Sequence, residues 1–184
     1  MTTLETGHAP PATGRHMGAL KGAADFMKAQ YVTRWGIVNT TKQQSIAEHS
    51  FLVWVLVKEW GPHVLTDNEL LCAKELALTH DLAEIRTGDA PTPHKTPEVK
   101  AHLDKVEQEI YQQIPVSDRV KQLVKFCDTA ESVLFLKLYG QGRHAEEVRE
   151  LLAVQMWKRL TTSLFNMDER LTLHDQFNEA FHDT

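Results

Sequence analysis

Apolar residues return every three or four positions along most of the chain, the spacing of a helix with one buried face. Within 96–114, Val99, Leu103, Val106 and Ile110 step by four, three and four. Within 117–139, Val120, Leu123, Val124 and Cys127 mark an inward side in the same way. The pattern predicts further helices over 45–60, 66–85, 143–165 and 168–182, and a short one over 19–30. Boundary residues agree. Ser45 with Glu48, and Thr66 with Glu69, have the spacing of a capping box. Thr96 before Pro97 is an N-cap followed by proline at the first helical position, and Gly88 is a stop just past the 66–85 helix. No segment alternates as a strand would over useful length, and no internal repeat is present. The expected fold class is therefore all-α, a single helical globule of about six or seven helices, with irregular polar linkers at 31–44 and 86–95.

A chain of 184 residues is most simply one domain, large enough to bury roughly 70% of its unfolded surface. Residues 1–18, MTTLETGHAPPATGRHMG, read as a poorly ordered leader without the apolar core of a signal peptide, leaving 19–184 as the domain. The longest apolar run, FLVWVLV at 51–57, is short of the ~20 residues a membrane span needs, so no membrane partner is expected. Cys72 and Cys127 both fall in apolar helical patterns, which points to reduced, buried thiols and a cytoplasmic protein (the host cytoplasm, for a phage protein). A net charge of −5 argues against nucleic acid as a partner, while ten histidines leave room for a metal site.

Three helical segments carry polar residues where the pattern wants core. In LALTHDLAEI (76–85), His80 and Asp81 sit side by side among Leu76, Ala77, Leu78, Leu82 and Ala83; Glu48-His49 opens the 45–60 helix; Asp128 lies mid-way through VKFCDTAESV. An unpaired carboxylate inside a core helix costs several kcal/mol. Taken singly, each has an ordinary explanation: a capped helix start, a hydrogen-bonded core histidine, an aspartate paired with Lys125 or Arg119. Taken together, two histidines and two aspartates form a complete ligand set for a divalent transition metal such as Mn, Co, Ni or Zn. Glu84 lies four residues after His80 and three after Asp81, on the same helix face. It is either a solvated helix-end charge or a carboxylate placed to move a proton beside an ion.

The pattern H…HD…D, here His49, His80-Asp81 and Asp128, resembles that of the HD-domain metal-dependent phosphohydrolases. Its surroundings make the resemblance specific. RW at 34–35, AEHS at 47–50, HDLAE at 80–84 and TGDAPTPHK at 87–95 are similar to segments of the small HD-domain 5′-deoxynucleotidases and the related phage deoxynucleoside triphosphate triphosphohydrolases. The likeness covers about residues 30 to 140. It implies a single HD domain whose metal ligands are His49, His80, Asp81 and Asp128, with Glu84 and Asp89 as the acidic residues that position or activate the attacking water. Arg34 matches a phosphate-binding arginine, and Trp35 a tryptophan that packs near the sugar and disfavours a ribose 2′-hydroxyl. Lys95 and Lys125 match positions that reach phosphate oxygens.

The residues themselves agree with those roles. Arg34 and Lys95 lie on the irregular linkers, where binding residues concentrate, and Lys125 shares a helix face with Asp128. Between the HD pair and Asp128 only His94 and His102 remain, so one tight site is expected, holding one divalent transition metal ion (Co, Mn or Zn), with Mg entering on the substrate phosphates. The implied substrate is a small-molecule deoxynucleotide. The expected activity is a deoxynucleoside triphosphate triphosphohydrolase acting on dATP; the alternative is a 5′-deoxynucleotidase acting on dNMP. A non-catalytic nucleotide-binding regulatory HD module is the reading from another class. The resemblance also implies a homo-oligomer.

Overall fold

A computed structural model describes residues 19–90 and 96–184. The leader 1–18, His94 and Lys95 lie outside the described residues. Within them the chain forms eight α-helices: α1 (Gly22–Phe26), continued by a 3-10 turn over Met27–Tyr31, then α2 (Ile46–Trp60), α3 (Asp67–Thr79), α4 (Glu84–Thr87), α5 (Pro97–Ile110), α6 (Asp118–Tyr139), α7 (Gly142–Thr161) and α8 (Met167–Asp183). Extended pairing among these residues is limited to two isolated antiparallel bridges, Thr33 with Ser45 and Thr40 with Gly140. No helix here is long and apolar enough to cross a membrane.

The caps read from sequence set the starts. Ser45 accepts from the Glu48 amide, although Glu48 turns its own carboxylate to Lys42 and does not close the box. Thr66 and Glu69 close theirs reciprocally, and Thr96 accepts from Val99 ahead of Pro97. An eighth helix arises because the segment expected to be continuous over 66–85 breaks after Thr79. The His80 ring takes the Ala77 carbonyl through Nδ1 at 2.9 Å, and the Gln113 side-chain amide takes the His80 carbonyl at 2.8 Å. Those are carbonyls a continuing α-helix would need for the amides four residues on. The chain proceeds by tighter bonds spaced three apart, Leu82 to Thr79, Glu84 to Asp81, Ile85 to Leu82 and Arg86 to Ala83, as in a 3-10 turn. Gly88, at φ 75°, then ends α4 with its amide on the Glu84 carbonyl, a conformation that favours glycine. Two other segments stop short of their expected ends: α5 at Ile110, where Tyr111 turns extended, and α7 at Thr161.

The apolar faces meet on α6, which packs against α2, α3 and α7 and lightly against α8. Its Leu123, Val124, Cys127 and Ala130 join Val53 and Val57 of α2, Ala73 and Ala77 of α3, and Met156 of α7 in one core. Fully burying a Val, Leu or Met side chain contributes roughly 1.5–3 kcal/mol. Both thiols are free, as the sequence predicts, and Cys127 is buried, but Cys72 is only half-buried where its helical stripe predicts burial. Inside this core lies a polar cluster: Gln44, His49, Glu84, Asp128, Glu131 and Ser132 are all buried. α2 and α6 therefore carry the site on rigid, closely packed elements.

Candidate metal centre and active site

The four expected ligands converge from three helices. His49 is wholly buried in the second turn of α2, His80 and Asp81 occupy the break after α3, and Asp128 sits in the middle of α6. His49 Nε2 lies 3.1 Å from Asp128 Oδ1 and 3.6 Å from Asp81 Oδ2; His80 Nε2 lies 3.3 Å from Asp81 Oδ2 and 3.9 Å from Asp128 Oδ1. A tetrahedral ion with ligands at 2.0–2.1 Å spaces its donors by roughly 3.3 Å, which these separations bracket. Each ring is fixed by its other nitrogen: His80 Nδ1 donates to the Ala77 carbonyl, and His49 Nδ1 lies 2.6 Å from Glu131 Oε2. Both Nε2 atoms are buried without a hydrogen-bond partner. Buried nitrogens left so and aimed at two carboxylates cost free energy unless a cation stands among them. The donor set fits a divalent transition metal.

Asp128 uses its two oxygens differently. Oδ1 faces the imidazoles, while Oδ2 accepts from Lys125 Nζ at 2.5 Å. Burial pushes this carboxyl up, but Lys125 and the two histidines outweigh it and hold the group well below the usual carboxylate range. It is therefore ionised, as a ligand must be. The ordinary explanation of Asp128 as a partner of Lys125 is thus true, and it coexists with the ligand geometry.

A support network absent from the sequence reading stands behind the ligands. Glu131, 3% exposed, accepts from the His49 ring through Oε2 and from the Gln44 amide through Oε1 at 2.5 Å. Arg34 Nη1 reaches Gln44 Oε1 at 3.3 Å and Glu131 Oε2 at 3.4 Å, and its Nη2 donates to Ser132 Oγ at 3.3 Å. Arg34 Nη1 also lies close to His49 Nδ1. A guanidinium only donates and a carboxylate only accepts, so Nδ1 can satisfy one at a time. With the proton shared toward Glu131, Nε2 keeps its lone pair for an ion. Trp35 has φ 66°, an outlier for a bulky residue, worth of order 1–3 kcal/mol of strain. Its ring stacks on Phe135 at 5.7 Å and its indole N–H donates to Gln44 Oε1, contacts that hold the strained backbone. Sequence offered one hint of this network: Glu131 is three residues after Asp128, a second carboxylate on one helix face.

In front of the ligands opens a cleft of about 520 Å³. Its lining brings together Arg34, Asp81, Glu84, Asp89, Lys125 and Asp128, all six named from the sequence; α5 adds Leu103 and Glu107, and α7 adds Leu152 and Arg159. Glu84 is 6% exposed, so the alternative of a solvated helix-end charge fails: packing at the break after α3 turns it inward. Lys125 is half-exposed at the rim. Trp35 packs on Phe135 and does not line this cleft, nor does His102, which is exposed on α5. Arg159 is a residue that the sequence did not single out. Volume and lining suit a nucleotide-sized molecule.

A family model described as 5′-deoxynucleotidase YfbR-like matches residues 23–122. The chain is 45% identical over 164 residues to a dATP triphosphohydrolase of Cyanophage S-2L, covering 86% of this chain and 94% of that one. It is 36% identical to a dATP triphosphohydrolase of Salmonella phage PMBT28, over 66% of this chain and 69% of the relative. A 5′-deoxynucleotidase of Vibrio vulnificus is 28% identical over 46% of each chain. Among solved structures, the Cyanophage S-2L HD phosphohydrolase DatZ, bound to dA and one catalytic Zn²⁺ ion, superposes with a TM-score of 0.87 at 43% identity, covering 90% of this chain and 99% of that one.

Proposed function

The chain belongs to the YfbR-like 5′-deoxynucleotidase family, and from that premise we propose that it is a metal-dependent deoxynucleotide phosphohydrolase, converting dATP and water to deoxyadenosine and inorganic triphosphate. The observation that carries the reading is the convergence of His49, His80, Asp81 and Asp128 at the floor of a nucleotide-sized cleft that also receives Glu84. Those four residues would hold a divalent ion, which when bound would supply Lewis acidity toward a phosphoryl oxygen and a lowered pKa for water beside it.

The remaining steps belong to the chain's own groups. Water adds to the α-phosphorus, and the bond from that phosphorus to the 5′ oxygen breaks. Glu84, buried at the cleft wall, takes the water's proton and returns one to the departing 5′ oxygen. Asp89 orients the water from the next turn of chain. Arg34 donates to phosphate oxygens from a guanidinium already held by Glu131 and Ser132, so little ordering is left to do on binding. Lys125 adds a mobile ammonium at the rim, and Lys95 a second cation on the 86–95 linker. Trp35, stacked on Phe135 outside the cleft lining, acts on the sugar end by holding the neighbouring Arg34 rather than by contact, and so disfavours a 2′-hydroxyl. The protein assembles as a homo-oligomer, in keeping with exposed Phe51, Leu71, Leu151 and Val154.

The second reading, a 5′-deoxynucleotidase, is favoured by the family model's own description. Turnover of dNTPs, dNMPs and NTPs with Zn²⁺, Co²⁺, Mn²⁺ or Mg²⁺, with products separated by chromatography, decides between them. Triphosphate released from dATP in step with deoxyadenosine supports the first; orthophosphate from dAMP with dATP untouched replaces it with the second.

A further inference from the structure

The cleft does not end at Lys125 and Arg159. Both side chains also line an adjoining cavity of about 350 Å³ between α6 and the end of α7. The two spaces differ in charge. The cleft around the ligands receives the carboxylates Asp81, Glu84, Asp89 and Asp128, whereas no carboxylate is among the described residues that line the second cavity. Its charged residues are Lys121, Lys125 and Arg159, in a chain of net charge −5.

These cations are ordered with respect to the metal centre. Lys121, Lys125 and Asp128 follow one another at four and three residues on α6, so they lie on one helix face, about one turn apart. Lys125 bonds the outer oxygen of Asp128 and keeps two further N–H donors. Arg159 Nη1 donates to Thr129 Oγ1 at 2.9 Å, and that hydroxyl in turn donates to the Lys125 carbonyl, which fastens the guanidinium beside the residue following Asp128. Arg159 makes no ion pair with any described carboxylate, and most of its N–H donors remain for another partner. Gln122 gives its carbonyl to the Leu164 amide, so what it can offer the cavity is its amide donors. Phe126, Leu160 and Phe165 form an apolar backing, which strengthens attraction between a buried anion and these cations.

We propose that this second cavity is the subsite for the β- and γ-phosphates of a nucleoside triphosphate, with Arg159 and Lys121 as its binding residues and Lys125 shared with the α-phosphate. A phosphate chain whose α-phosphorus lies at the metal centre enters it by passing between Lys125 and Arg159, leaving the nucleoside in the larger cleft. The proposal deepens the triphosphohydrolase reading and rests on it for the identity of the substrate. It assigns the choice of triphosphate over monophosphate to a cationic extension of one shared site.

The test measures binding of inorganic tripolyphosphate and of orthophosphate to the zinc-loaded full chain by calorimetry, together with kcat/KM for dATP and for dAMP. Arg159→Gln and Lys121→Gln, both of exposed side chains, are compared with the parent after their melting temperatures are matched. Each variant is expected to weaken tripolyphosphate about tenfold and to lower kcat/KM for dATP about tenfold more than for dAMP, the scale of one lost charge-assisted bond. Tripolyphosphate affinity unchanged in both variants, or equal losses on dATP and dAMP, overturns the subsite. Should the parent cleave dAMP and leave dATP intact, the triphosphohydrolase reading falls by itself. Tripolyphosphate binding that depends on Arg159 and Lys121 then still supports the subsite, and binding no tighter than orthophosphate overturns it.

Discussion

His49 Nδ1 lies 2.6 Å from Glu131 Oε2, so a buried carboxylate on α6 holds the imidazole that α2 offers to the proposed metal centre. The pair is separated by 82 residues of sequence and joins two of the helices that form the core. It fixes ring orientation and keeps Nε2 directed at the centre.

Glu131→Gln should accordingly keep the fold while weakening the metal about 10- to 100-fold, the usual effect of removing a carboxylate behind a histidine ligand. Competition with a chromophoric chelator reads this directly. Unchanged affinity would mean that Gln44 and Arg34 alone orient His49.

Metal removal should act on stability as well as turnover. Each imidazole Nε2 lies 3.1–3.9 Å from an oxygen of Asp81 and of Asp128, an arrangement compensated best by a cation bound to the native state. An ion present at 100 times its Kd adds about 2.7 kcal/mol to native stability. Chelated protein should melt at lower temperature and regain both Tm and activity with Zn²⁺, Co²⁺ or Mn²⁺. His80→Ala and Asp81→Ala should show neither response; stoichiometric metal retained by both would sink the ligand assignment.

Trp35→Ala should lower the preference for deoxyribonucleotides over ribonucleotides. Rejecting one hydroxyl by shape alone is worth only ~10²-fold, which bounds the change. The relative kcat/KM for dATP and ATP checks it, and an unaltered ratio would move sugar reading to another residue.

Much of this was legible in the chain because polar residues stood out against apolar helical stripes. His80-Asp81 and Asp128 interrupt segments that otherwise ask for core, and Ser45, Thr66 and Thr96 mark helix starts by local hydrogen bonds. What escaped depends on contacts remote in sequence. The helix broke at His80 because Gln113, 33 residues on, takes its carbonyl. Gln44 and Glu131 meet across 87 residues; Gln44 reads locally as an ordinary surface side chain, and Glu131 is marked only by its spacing from Asp128. Arg159 reads as one more cation on an exposed helix face until α6 is laid beside it.

Glu169 provides a pH test away from the site. Burial pushes its carboxyl up, but the Arg119 guanidinium at 2.6 Å and the Asn166 amide outweigh burial and hold it below the ordinary range. A depressed folded value means that the group stabilises above its unfolded pKa of ~4.3 and that this contribution is lost as pH falls through the lower folded value. Glu169→Gln should therefore lose about 1 kcal/mol at pH 7 by urea denaturation, and the gap from the parent should close in strongly acidic solution. A gap independent of pH would assign the loss to packing at the start of α8.

The acid–base assignment rests on Glu84, which the break after α3 turns into the cleft at 6% exposure alongside Asp81 and Asp128. Its carboxylate is one more than a two-histidine, two-aspartate ligand set needs. If it handles the proton of the attacking water, Glu84→Gln should keep fold and metal and lose roughly 10²- to 10⁴-fold in kcat. KM should move little, because the amide fills the same space and Arg34 and Lys125 still meet the phosphates. If Glu84 is instead a ligand, the variant should lose metal and recover part of its activity when metal is added in excess. A structural role alone predicts lower Tm with kcat near that of the parent, since the remaining folded enzyme would turn over normally. Metal content, Tm and kcat measured on the same preparation separate these outcomes. The first is the expected outcome, because two histidines and two aspartates with His–Asp separations of 3.1–3.9 Å already supply a ligand set without Glu84.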